Sequence, residues 1–437
     1  MQLEGKSLKG DFARFVTPTV LSLMVFSLYS LVDGVFVGRG VSETAMTAVN
    51  LAIPFTNFLF SVTILLTVGT STILAIYLGQ GKRAEADRLF SQNLAVGVGL
   101  GLLITAGALI FTEPLARLLG ASGETLPLVM SYLRGLAPFS VFFIVSYSLE
   151  ILVKTDGYPR LATVAVTTGC LLNCLLDYLT IFHWDQGIFG AAWATGFSQL
   201  AVSVIYLVHF LRGKTTFHLR RFRFDLPIYR RLLPLGVSDG LTELCTGLMI
   251  FLFNRVILWR LGNDGLVSYT VVAYVNTLVV MTMVGVSQGM QPLVSYHYGK
   301  GDTASCRRLL RYGLVTAGVG SVLIFAGLWL FTPQVVSAFL ERGSALFDVS
   351  VARFRQYSFS FLLVGLNVVL SGFLTAVERP RQAITISMGR GLAVQTVCLL
   401  ALAAAFGGGA VWYATLLSEG LMLAVSYVFL RQYRRSV

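Results

Sequence analysis

Two aspartates, an asparagine and a threonine set in apolar surroundings are the groups of this chain best placed to do chemistry: Asp33, Asn173, Asp177 and Thr195. An ionisable side chain inside a membrane span is expensive, and by default it marks an ion pathway or a proton relay. Asn173 and Asp177 stand four apart, on one face of a helix. If that helix runs outward, Asp177 lies roughly 8 Å from its outer end, and Thr195 roughly 10 Å inside on the returning helix. Asp33 reaches a comparable depth. Two carboxylates, an amide and a hydroxyl at one level offer oxygens to a small cation such as Na⁺, or a coupled pair of acids to protons. Asn173 or Thr195 alone would be explained as well by a helix-packing hydrogen bond. Two acids with no basic partner evident in their half fit packing poorly.

A sparser set is assigned to substrate or proton handling: Glu150, Glu243 and Glu419, with Asn254 and Asn367 alongside. Arg255 and Arg390 are the counter-charges within reach of a span. A catalytic constellation is not expected. His183, His209, His218 and His297 are scattered without ligand spacing. Cys170, Cys174, Cys245, Cys306 and Cys398 read as packing residues rather than a disulfide framework. The chain is read as a non-enzyme without a cofactor, apart from a coupling ion.

The elements that must position these groups follow from hydropathy. Of 437 residues 55% are hydrophobic and 12% charged, against roughly 25% charged in a soluble domain; the mean hydropathy is +0.75. That excludes an ordinary soluble enzyme. Apolar runs broken by charge, Gly and Pro predict twelve spans, at roughly 15–38, 50–78, 92–111, 129–154, 161–182, 188–211, 233–259, 268–297, 310–331, 354–376, 384–406 and 409–431. The first is too long for a signal peptide's apolar core and reads as a membrane helix.

The formal net charge of +12 is read as a topology signal, not as nucleic-acid binding. Lys82, Arg83, Arg88, the stretch from Arg212 to Arg231, Lys300, Arg307 and Arg434 all fall in alternate loops or at the termini, which places both termini in the cytoplasm of a cell-membrane protein.

The chain also repeats. The segment from Tyr77 to Leu89 matches that from His297 to Leu309 at a shift of 220, and Pro159-Arg160 falls on Pro380-Arg381 at a shift of 221. The expected fold is all-α integral membrane, with twelve transmembrane helices in two pseudo-symmetric six-helix lobes. The lobes are 1–211 and 233–437, joined by a solvated cytoplasmic linker at 212–232. Parallel six-helix repeats describe a transporter.

Several motifs, in order and spacing, carry a family resemblance. They are the segment from Leu31 to Arg39 (LVDGVFVGR), the Leu78–Gly81 loop, Asp156 to Arg160 (DGYPR), Asn173 to Asp177 (NCLLD), Gly190 to Thr195 (GAAWAT), and the stretch from Gln288 to Gly299. Over essentially its entire length the chain resembles the multidrug and toxic compound extrusion (MATE) family. The resemblance implies a secondary active antiporter that exports organic, often cationic, drugs and dyes in exchange for Na⁺ or H⁺. It implies an ion site on Asp33, Asn173, Asp177 and Thr195, with a tyrosine matching Tyr132. In the branch with acids in the second lobe, one lies on helix 7, where Glu243 stands here; the second, on helix 10, has no counterpart, Asn367 being the nearest polar residue. Glu150 stands where many members have an amide. Organic substrates and membrane lipids are the expected partners of a monomer. A lipid-linked precursor flippase of the same broad superfamily is the competing reading; it calls for a basic cavity, whereas the buried cluster here is acidic.

Overall fold

The computed structural model describes residues 7–213 and 215–436, the side chains of 30–35, 37–39, 43 and 436 excepted. Among these residues every regular element is helical. A chain that must satisfy its backbone polar groups without water can do so within helices, and the long runs rich in Leu, Val, Ala and Ile supply the apolar surface. Eleven helical stretches are long and apolar enough to cross a membrane. One of them, Tyr229–Gly299, holds two spans that meet at Gly262, whose φ of 66° and ψ of −162° belong to no helix. The twelve predicted spans are therefore α1 (Leu8–Gly40), α2 (Glu43–Gly79), α3 (Arg83–Ile110), α4 (Thr125–Asp156), α5 (Pro159–His183), α6 (Gly187–Leu211), α7 (229–261), α8 (263–299), α9 (Thr303–Leu330), α10 (Ala345–Ala376), α11 (Pro380–Phe406) and α12 (Gly408–Arg435).

The internal repeat is visible in the elements themselves. α3 and α9 both run 28 residues and start at Arg83 and Thr303. α4 is interrupted by a tight turn at Ala137–Phe139, and α10 between Ser358 and Phe361, the same place in the second half. α5 and α11 both begin on a proline, Pro159 and Pro380, whose missing N–H is harmless in a first turn. Each is preceded by a left-handed residue, Gly157 (φ 105°) and Glu378 (φ 55°).

The chain forms two compact units, residues 17–236 and residues 7–16 with 237–437. These limits differ from loop-based boundaries at 211 and 233, and packing gives the reason. In the first unit, a Cβ on Gly69 would collide with the Leu232 carbonyl and one on Gly236 with the Leu65 carbonyl, so the first two turns of α7 lie backbone-close on α2. In the second unit, Phe12 meets the Tyr312 ring edge-on at 5.7 Å, and Gly289 leaves room for the Val16 backbone.

The basic connecting segment is not the freely solvated linker expected from its charge. Buried Asp87 accepts from His218 N–H (2.9 Å) and pairs with Arg220 (3.0 Å). Ser91 accepts from Arg220 N–H, and the Gln92 amide bonds both backbone groups of Asp225. Buried Asp156 accepts from Thr216 N–H, and Phe217 stacks on Phe90 at 5.7 Å. The segment is strapped to the first unit by the buried polar side chains Asp87, Ser91, Gln92 and Asp156.

The core of the first unit gathers Phe55, Leu59, Leu133, Leu136, Phe143 and Ile144, and that of the second Phe253, Val272, Phe354, Phe361 and Trp412. In the second unit Met283 and Met290 act as gap fillers. Met290 lies over Gly313, and Met283 over Gly365, each almost fully buried.

Candidate functional site

In the first unit three residues expected at the ion site, Asn173, Asp177 and Thr195, meet on α5 and α6, with Tyr29 of α1 beside them. Asn173 and Asp177 are fully buried on one face of α5, and Asp177 is the last α-helical residue before a π-helical turn, Tyr178–His183. Such turns widen a helix locally and recur at functional sites. α6 approaches α5 closely because Gly190 faces Thr180, with no space for a Cβ, and this brings Thr195 to the Asn173 amide.

The Asn173 amide is the centre of the cluster. With its nitrogen toward Asp177, it donates to Asp177 Oδ2 at 2.7 Å and to Tyr29 OH at 3.3 Å, while its oxygen accepts from Thr195 Oγ1 at 3.3 Å and Thr195 N–H at 3.1 Å. That arrangement suits an ionised carboxylate, which can only accept. Ala191 O of α6, 3.1 Å from Thr195 Oγ1, is the alternative acceptor for that hydroxyl's single proton. Tyr29 of α1 was not singled out from sequence; its place one turn before Asp33 was the available signal. The Asp33 side chain lies outside the described residues. Tyr132 is buried in the apolar cluster of the same unit.

Glu150 has a partner that sequence reading overlooked. Lys154, one turn later on α4, places its Nζ 2.7 Å from Glu150 Oε1, with both side chains almost fully buried, and Ser22 of α1 reaches the same oxygen at 3.5 Å. The first half therefore does contain a buried basic residue. The i, i+4 spacing of opposite charges was the missed signal.

In the second unit, Glu419, Asn367 and Arg390 form one buried network. Arg390 donates through Nε (3.0 Å) and Nη2 (2.9 Å) to Glu419 Oε1. Asn367 donates to Glu419 Oε2 at 2.7 Å and accepts from Ser426 at 3.0 Å. These groups satisfy one another, and Arg390 sits in a π-helical turn of α11, Gly389–Ala393. Glu243 is half-buried on α7, and one turn before it stands Asp239, an acid that sequence reading missed although it lies four residues away. Gln291 of α8 donates to Asp239 Oδ2 at 3.3 Å. The second half therefore has its own acidic pair, Asp239 and Glu243, one turn apart. Among the described residues no ion pair involves Asp239 or Glu243. Asn254 is half-buried farther along α7, and Arg255 is exposed with its guanidinium 6.0 Å from the Phe251 ring.

Twelve apolar helices in two repeated sets, with buried acids held by amides and hydroxyls inside each set, define a polytopic transporter rather than a soluble catalyst. The MatE family model matches residues 18–179 and 241–400, the corresponding part of each repeat, and the chain belongs to that family. It is 24% identical over 430 residues to the multidrug export protein MepA of Staphylococcus aureus (strain bovine RF122 / ET3-1), covering 97% of this chain and 94% of that one. The MepA of Staphylococcus saprophyticus is 23% identical, covering 99% and 96%. Among solved structures, a MATE in complex with MaL6 superposes with a TM-score of 0.93 at 22% identity, over 98% of this chain and 97% of that one. The outward-facing conformation of a multidrug resistance MATE family transporter of the MOP superfamily gives 0.92 at 22% identity, over 98% and 96%.

Proposed function

We propose that this protein is a cell-membrane antiporter that exports organic, chiefly lipophilic cationic, compounds in exchange for Na⁺ or H⁺. Family membership and the export function named for the staphylococcal relatives support the export reading. The observation that carries the coupling is the buried Asp177 carboxylate bonded to the Asn173 amide. Na⁺ bound between Asp33 and Asp177 leaves Asp177 ionised and the amide nitrogen turned toward it. A proton on Asp177 neutralises the same carboxyl. Either event changes the charge and bonding of the same three helices, which biases alternating access between states of different drug affinity. On this reading the basic loops keep both termini in the cytoplasm, and the working form is a monomer.

The test is efflux from vesicles at matched expression. Asp33→Asn and Asp177→Asn reduce gradient-driven export of a cationic dye to near background, and an anionic dye is exported poorly by the wild type. Imposing Na⁺ and H⁺ gradients separately identifies the ion. Wild-type rates with unchanged ion dependence in both variants would remove these residues from the mechanism.

A further inference from the structure

The strapped connecting segment encloses a cleft that the ion site does not use. It lies within the first unit, has a volume of about 710 Å³, and is lined by Arg88, Arg221 and Arg223 together with Tyr77 and Phe224. Glu85 and Asp225 border it as well, yet among the described residues no ion pair involves any of the three arginines, whereas neighbouring Arg220 is paired with Asp87. The next residues along the chain line a second groove of about 600 Å³, made by Leu226, Pro227, Tyr229, Leu233 and Pro234, with Arg230 among them.

Both hollows are formed where the connecting segment between α6 and α7 runs into the start of α7. Leu219, Phe224 and Leu226 are 44%, 60% and 66% exposed, an arrangement that suits an interface better than water. The arginines are not carried on a loose loop: Gln92, Ser91 and Asp87 hold the backbone beneath them, so little ordering is required when a ligand arrives.

We propose that this segment is a binding site for an anionic phospholipid. The phosphate is held by the guanidiniums of Arg88, Arg221 and Arg223, a charge-assisted geometry suited to phosphate oxygens, and an acyl chain follows the groove from Leu226 to Pro234. A soluble nucleotide or free phosphate could use the polar cleft, but it would leave the adjoining apolar groove without a function. The proposal does not depend on the coupling ion or the exported substrate.

The test uses the purified full-length protein, native mass spectrometry and thermal stability in detergent, with dioleoyl phosphatidylglycerol and dioleoyl phosphatidylcholine as probes. The wild type retains phosphatidylglycerol preferentially, and R88Q/R221Q/R223Q weakens that preference by about fivefold for each arginine removed at low ionic strength. R434Q/R435Q, basic residues elsewhere on the surface, leaves it unchanged. A comparison needing no variant is dioctanoyl against dioleoyl phosphatidylglycerol, the longer chain binding more tightly. Equal retention of the two headgroups, an unchanged preference in the triple variant, an equal loss in the control variant, or equal binding of the two chain lengths would each overturn the site. So would protection by inorganic phosphate or ATP as strong as that by the lipid, which would assign the cleft to a soluble anion.

Discussion

Lys154 is 2% exposed inside a membrane helix, a position an ammonium tolerates only with a carboxylate against it. The consequence is asymmetric. Lys154→Met leaves Glu150 as an unpaired buried charge and lowers stability by about 3–5 kcal/mol, whereas Lys154→Met combined with Glu150→Gln recovers most of the loss. Melting curves of the detergent-solubilised variants, followed by size-exclusion fluorescence, check this; an additive double variant would show the pair to be uncoupled. Asp302, in the turn before α9, behaves oppositely because it is exposed to water. Hydrogen bonds from Ser305, through its side chain and its N–H at 2.9 Å, hold its carboxyl below the usual carboxylate range, with His297 adding to the effect. A carboxyl with a depressed folded-state pKa contributes stability above its unfolded value of about 4, and the contribution disappears as pH falls through the folded value. Asp302→Ala therefore lowers stability by about 1 kcal/mol at neutral pH through loss of the helix cap, and its difference from wild type closes in acid. At this scale the sequence was informative about type and less so about partnership. Asn173, Asp177 and Thr195 could be grouped because spacing and depth are linear quantities, while Tyr29 and the Arg390–Glu419–Asn367 network are meetings of separate helices.

The turns between helices show how far element boundaries can be read from composition. Gly157 and Glu378 hold equivalent left-handed positions before Pro159 and Pro380. A glycine adopts that conformation freely, and a residue with a Cβ costs roughly 1–2 kcal/mol there. Gly157→Ala should accordingly lower the apparent melting temperature, and Glu378→Gly should not; a fall of equal size in both would mean that contacts of the Glu378 side chain outweigh the backbone term. The spans and their repeat were legible because hydrophobic runs and Gly-Pro landmarks are local. The interruption of α10 between Ser358 and Phe361 was not legible: no proline marks it, unlike Pro138 in the matching break of α4. Nor were the π-helical turns beside Asp177 and around Arg390, whose geometry comes from neighbouring helices rather than from the residues that form them.

For the whole molecule, the charge asymmetry of the loops leads to a topology that can be measured. A single cysteine at Leu219, exposed on the connecting segment, in a background without the five native cysteines, should resist a membrane-impermeant thiol reagent in intact cells and react after permeabilisation. Ready labelling from outside would reverse the orientation. The same segment shows where linear reading ends. Its arginines by themselves point to a solvated linker because charge usually means water; the buried acids that hold it, Asp87 and Asp156, lie far away in sequence and give no local hint of docking.

The two units exchange their first turns. Residues 7–16 of α1 belong with the second half, residues 229–236 of α7 belong with the first, and the changeovers after Val16 and Gly236 are 220 residues apart, the spacing of the repeat itself. This imposes an order on biosynthesis. A chain still emerging from the ribosome cannot finish its first half until the opening of α7 has been made, and its own first helix must wait for the second half before its beginning has a home. A chain stopped after Ile228 should therefore be degraded faster in the membrane than one stopped after Gly240, although the extra length adds no complete span. Equal half-lives in a pulse-chase would show that the exchanged turns are dispensable to the nascent first half.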